Sequence, residues 1–142
     1  MKVKKLIARR IIRNWGVTAR QARKVTLLQA GVKIGIAYNA TESADRSTME
    51  KFREKLVSQG LQVEILGFVN AKQLPSNLSY KPGMDYFSRK DLNWTGLPAY
   101  SVLNNFAQQQ FDYFIAATTS EDVVIFSFAA KTKAKFRLGP YF

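Results

Sequence analysis

Lys33-Ile34-Gly35-Ile36-Ala37-Tyr38 and Gln62-Val63-Glu64-Ile65-Leu66-Gly67-Phe68-Val69 are the two stretches on which the fold class turns. Each is a short apolar run of strand length, suited to a strand buried on both faces of a sheet. The polar loop Asn39 to Ala44 and a helical pattern to about Gln59 lie between them. Ser47 with Glu50 three residues on makes a capping box, and Ser43 offers an earlier start. Met49, Phe52 and Leu56 are expected to face the core, and Gly60 stands where a helix needs a left-handed terminating residue.

The alternation continues outward. Residues 70–98 hold three of the four prolines and read as irregular, with a short extended piece at Asp85 to Ser88. Ala99 to Gln110 has a helical pattern, with Tyr100, Leu103 and Phe106 or Ala107 expected inward. Phe111 to Ala117 (FDYFIAA) reads as a strand, Glu121 to Lys131 as a helix, and Ala134 to Leu138 as a last strand. Strands alternating with helices predict an α/β domain of Rossmann-like or flavodoxin-like type. It has three layers, with right-handed crossovers and a mostly parallel sheet of four or five strands.

Upstream lies a different composition. Residues 1–30 carry nine basic groups (Lys2, Lys4, Lys5, Arg9, Arg10, Arg13, Arg20, Arg23, Lys24) and no acidic one. The remaining 112 residues carry thirteen basic and ten acidic groups, a net of +3 out of the chain's +12. The chain is therefore read as a basic helical arm, residues 1–24, on a near-neutral α/β domain, residues 25–142. In the arm Val3, Leu6, Ile7, Ile11 and Trp15 share one helical face and Lys5, Arg9 and Arg13 the opposite one. An uncompensated cationic segment points to a polyanion, either nucleic acid or an anionic membrane surface.

Several stretches together resemble an uncharacterised family of small basic α/β proteins of Bacteroidota. They are Ile34-Gly35-Ile36 followed by Asn39-Ala40-Thr41; Gly67-Phe68-Val69-Asn70; Asp85 to Trp94 (DYFSRKDLNW) continuing into Gly96 and Pro98; and Ala134-Lys135-Phe136-Arg137-Leu138-Gly139. The resemblance spans about residues 33–140 and leaves out the arm. It implies a cytosolic bacterial α/β domain and carries no activity or catalytic residue to transfer.

The 142 residues contain no cysteine and no histidine. That removes disulfides, thiolate and imidazole metal ligands, and every Ser–His or Cys–His nucleophile. There is no Gly-x-Gly-x-x-Gly and no Walker-type phosphate loop. The acids suggest no acid–base pair, Glu121 and Asp122 being adjacent in the chain and Asp85 and Asp91 lying in a loop. The expectation is a protein that is not an enzyme and needs no cofactor or metal. The apolar residues near the start are interrupted by Arg9 and Arg10, so no secretory region forms. A cytoplasmic location follows, and the triplets at Asn39, Asn77 and Asn93 then carry no glycosylation meaning.

Three further groups are candidates. Lys131, Lys133, Lys135 and Arg137 alternate with Thr132, Ala134, Phe136 and Leu138, so an extended segment puts its charges on one face. Lysines on a terminal edge strand also discourage edge-to-edge pairing. The loop Phe87 to Pro98 gathers Arg89, Lys90, Asn93 and Trp94, which suits RNA recognition. The more conservative reading has Trp94 capping the core and Asp91 holding the turn. Trp15 and Trp94 are the rings available for stacking. Finally Asn39, Thr41 and Ser43, with Thr118, Thr119 and Ser120, follow strands at the end where open α/β sheets bind ligands, and helix capping uses the same residue types.

These observations predict a non-catalytic RNA-binding protein, ribosome-associated as a component or a bound factor, with RNA and ribosomal proteins as partners. The alternatives are a small-ligand or phosphate-binding α/β protein or enzyme using the strand-end pocket, and a peripheral membrane protein resting on its arm.

Overall fold

The structure is a computed structural model that describes residues 30–78 and 80–140. The arm, with its helical reading and its boundary at residue 24, lies outside the described residues.

Among the described residues, five strands form one sheet in the order β3-β2-β1-β4-β5. They are β1 (Lys33–Asn39), β2 (Gln62–Val69), β3 (Met84–Ser88), β4 (Tyr113–Ala117) and β5 (Phe136–Leu138). Every pairing is parallel. The helices are α1 (Ser43–Ser58), α2 (Tyr100–Ala107) and α3 (Val123–Lys131), and a single 3-10 turn, Arg89–Asp91, follows β3. This is the expected three-layer α/β architecture of Rossmann or flavodoxin type.

β1 runs down the middle, and its two faces are built differently. Ile34, Ile36 and Tyr38 lie on one face with Val63, Ile65, Val69 and Met84, covered by Met49 and Leu56 of α1. Between Lys33 and Asn39 at its ends, the other face of β1 offers Gly35 and Ala37, and rings fill that space. Phe106 of α2 lies 5.1 Å from Phe111, 6.0 Å from Phe114 and 5.6 Å from Phe128 of α3. Phe87 joins them at 5.6 Å from Phe128 and 5.1 Å from Phe68. Gly35 is required here, because a Cβ at that position would stand 2.6 Å from the Phe111 ring. Burial of each such ring contributes about 2–3 kcal/mol.

Several local expectations change. α1 begins at Ser43 with Glu42 at its N-cap and no side-chain capping bond. The Ser47–Glu50 pair therefore lies inside the helix, where Glu50 pairs with Lys81. Phe52 is exposed, because the inward stripe of α1 runs through Met49 and Leu56 and Phe52 falls to its side. Tyr100 is also exposed rather than inward. Only the last turn of the short α2, Phe106 and Ala107, goes deep. β5 is shorter than Ala134 to Leu138, since Thr132 and Ala134 are buried in the approach to it. Gly60 does adopt the left-handed conformation, at φ +83°.

Candidate nucleic-acid interface

The chain leaves β3 at its carboxyl end and crosses back over the sheet to reach β4. The connection between them is tightly built. The Asp91 carboxylate accepts the Ser88 backbone N–H at 3.0 Å and closes a capping box with the Ser88 side chain. The Arg89 N–H donates to the Ala71 carbonyl at 3.0 Å. A small hairpin then forms across the Leu92–Pro98 bridge, with the Asn93 N–H donating to the Leu97 carbonyl at 2.7 Å. The Asn93 side-chain oxygen accepts from the Thr95 hydroxyl, from the Thr95 N–H at 2.9 Å and from the Leu97 N–H at 3.3 Å. Gly96 turns the chain at φ +82°, a conformation that an L side chain resists. Leu92 packs against the phenylalanine core and anchors the hairpin.

Trp94 sits in this turn and is 96% exposed. It does not cap the core, as the conservative reading had it, because Leu92 and Pro98 do so instead. Asp91 holds the turn as expected. Tyr100, the first residue of α2, is 79% exposed. Arg89 and Lys90, five and four residues before Trp94 in the chain, are exposed and make no ion pair among the described residues. Two cations and two rings are thus gathered in one connection at the carboxyl end of the β3 edge.

From Tyr100 a groove of about 270 Å³ runs along α2 past Asn104 and Gln108 to Lys131 and Lys133. α3 descends from the carboxyl end of β4, so these two lysines lie at the amino end of the sheet. Both are exposed and unpaired among the described residues. The described chain also begins at that end, where the Gly31 N–H donates to the Gly60 carbonyl at 3.0 Å.

Lys135 and Arg137 part company with them. Lys135 pairs with Asp112 at 3.2 Å, and Arg137 turns back so that its Nη2 donates to the Thr132 carbonyl at 2.8 Å. The single charged face expected across Lys131, Lys133, Lys135 and Arg137 therefore reduces to its first two members. Lys2, Lys4, Lys5, Arg9, Arg10, Arg13, Trp15, Arg20, Arg23 and Lys24 fall outside the described residues.

The strand-end residues are brought together, since β1 and β4 pair from Ile34–Tyr113 to Tyr38–Ala117 and the strand order reverses between them. Their polar groups, however, are turned on one another. Asn39 Oδ1 accepts the Thr41 N–H at 3.0 Å and the Thr41 hydroxyl at 2.6 Å, and Asn39 Nδ2 donates to Asp122 Oδ2 at 3.3 Å. Thr41 Oγ1 accepts the Asn70 N–H at 2.9 Å. Arg46 Nη1 donates to the Ala40 and Thr41 carbonyls. The Thr118 hydroxyl donates to the Ser120 carbonyl and accepts the Ser120 N–H. Ser43 opens α1, and Thr119 is exposed.

Sequence reasoning passed over Asp122, the residue that decides this crevice. Its Oδ1 accepts the Val124 and Ile125 N–H groups at 3.1 and 3.3 Å, capping α3. Of the two helix N-termini at this crevice that could bind a phosphate, that of α3 already holds a carboxylate, whereas that of α1 has no side-chain cap. The arrangement performs turn and cap chemistry. Among the described residues no group of three acidic side chains is placed to hold a metal ion, and no helix is long and apolar enough to cross a membrane.

The family of unknown function DUF6913 matches residues 4–142. The chain belongs to this family. The match takes in the basic arm as well as the α/β domain, and so reaches further toward the N-terminus than the stretches that first suggested a family. No curated protein and no solved structure matches the chain.

Proposed function

We propose that this DUF6913 protein is a non-catalytic RNA-binding protein of the cytoplasm, associated with the ribosome and docking through its basic N-terminal arm. The observation that carries the reading is the run of nine Lys and Arg without one Asp or Glu in the first thirty residues. Such a run exceeds what solubility asks of a protein of this size. Cations of this density displace the counterions condensed on nucleic acid, a large and salt-sensitive source of affinity. Arginine adds bidentate phosphate contacts.

The body supports the reading by distribution. Arg89, Lys90, Lys131 and Lys133 stand exposed and unpaired among the described residues, whereas Lys81 and Lys135 are held in ion pairs. The small-ligand alternative is weakened at α3, whose N-terminus Asp122 already occupies, and at the strand reversal it keeps only the N-terminus of α1, which has no side-chain cap. The membrane alternative rests on an arm with one Trp and no Phe.

The test is sedimentation of lysate through a sucrose gradient, at low and then high salt. Cosedimentation with a ribosomal subunit that weakens as salt rises is expected, and a protein at the top of both gradients refutes the ribosomal assignment. In purified form, Arg9→Glu, Arg10→Glu and Arg13→Glu together should weaken RNA binding by about 3 kcal/mol or more if each arginine contacts phosphate. Unchanged affinity in that triple variant would sink the arm as the docking element.

A further inference from the structure

We infer that Trp94 is a stacking platform for an unpaired RNA base, with Arg89 and Lys90 holding the phosphates that flank it. The inference rests on the RNA-binding reading and adds to it a second contact, on the body, that selects single-stranded over duplex RNA.

The first ground is the position of the ring. A tryptophan left 96% exposed forgoes the largest apolar burial any side chain offers. A mobile loop would fold such a ring onto the nearest apolar surface. Here the backbone on both sides is fixed: the Asn93 side chain holds the turn through Thr95 and Leu97, and Leu92 and Pro98 pin its base. The ring is therefore held out in water by a rigid hairpin. A contact made by a rigid loop loses little conformational entropy on binding.

The second ground is the chemistry around the ring. Its neighbours in the turn, Asn93, Thr95 and Gly96, are small or polar, so the tip lacks the cluster of aliphatic side chains that wedges into a bilayer. The cations of the connection are Arg89 and Lys90, exposed and unpaired among the described residues, while the carboxylate of Asp91 between them and the ring is turned onto the Ser88 N–H. An aromatic face beside unpaired cations matches the two parts of a nucleotide, base and phosphate. In a duplex the base faces are stacked on one another and closed to such a ring, whereas loops, bulges and ends present them.

The third ground is an exit for the strand. Tyr100 is 79% exposed at the head of the groove along α2, and Lys131 and Lys133 lie at its foot. Eight residues of helix extend about 12 Å. A strand stacked on Trp94 thus has a path along a groove of mixed apolar and amide lining that ends on two lysines, at the end of the sheet where the described chain begins.

The chain has two tryptophans, so the full-length protein carrying Trp15→Phe reports on Trp94 alone. It is titrated with a short single-stranded RNA and with an RNA duplex of equal length, at fixed salt. Quenching of Trp94 by the single strand and not by the duplex is expected. Trp94→Ala should bind the single strand about tenfold to a hundredfold more weakly. Its duplex affinity and its salt dependence should not change, and Trp94→Phe should recover part of the loss. The exposed ring makes no core contact, so Trp94→Ala is expected to fold, and circular dichroism checks this. If both RNAs bind and Trp94→Ala alters neither affinity, the inference falls and the arm reading stands. Equal quenching by the duplex overturns the choice of an unpaired base. A response only to anionic vesicles overturns RNA as the ring's partner. If neither RNA binds the full chain, both readings fall together.

Discussion

Asn39 and Asn93 each accept two hydrogen bonds from the threonine two residues on, one from its N–H and one from its hydroxyl. Both Asn-x-Thr triplets are thus turn devices of one kind, a side chain standing in for a backbone carbonyl. Read that way, Asn93-Trp94-Thr95-Gly96 already places Trp94 in a tight turn, where a ring seldom reaches a core. Tyr100 and Phe52 escaped for a different reason. A helical pattern gives angular position around the axis, but not how much sheet lies beneath each turn. Another residue carries a testable charge effect. The Asp112 carboxylate accepts the Lys33 N–H at 2.9 Å, which holds its pKa below the ordinary value, with Lys135 adding to the effect and partial burial opposing it. A carboxyl with a lowered folded-state pKa stabilises the fold above its unfolded pKa, and that stability is lost as pH falls through the folded value. Asp112→Asn should therefore cost about 1 kcal/mol at neutral pH. Urea denaturation against pH should show the gap from the native protein closing below the carboxylate range, and a gap that stays constant would dismiss the charge as its source.

Among the elements, the strands were the most legible, because apolar runs flanked by polar loops need no partner to be recognised. β2 follows its expected bounds, and β1 extends one residue further than expected. Helix ends were less legible, since caps are chosen by geometry that residue types only permit. Ser47 with Glu50 has the pattern of a box and lies mid-helix, while the box that forms joins Ser88 and Asp91. α3 shows what a single cap can govern. Val124, Ile125, Phe126, Phe128 and Ala129 are all buried, so its position fixes much of one core. Asp122 satisfies two of its first N–H groups and also receives the Asn39 amide. Asp122→Ala is expected to lower stability by about 1–2 kcal/mol. Asp122→Asn should retain most of it, because an amide oxygen caps as well. Equal losses in the two variants would show that the charge rather than the cap matters.

Across the molecule, charge and fold are segregated along the chain. The 112 residues after residue 30 carry a net of only +3, and most of the +12 lies before them. Fold stability should then respond weakly to salt, by less than about 1 kcal/mol between low and high ionic strength, as exposed pairs do. RNA affinity should fall by orders of magnitude over the same range. Measuring the urea midpoint and the RNA affinity in one salt series checks this, and a midpoint that tracks the affinity would contradict it. The class of sheet was legible from alternation alone, but not which loops meet. The meeting of the Asn39 and Thr118 loops depends on β1 pairing with β4, and the Lys33–Asp112 bond that begins that junction spans 79 positions. This separation also orders events during synthesis. β1, α1 and β2 can assemble while translation continues. The other edge of β1, an apolar run with its backbone donors open, waits unpaired until β4 has cleared the exit tunnel. The nascent chain is most exposed to mispairing with its neighbours during that interval.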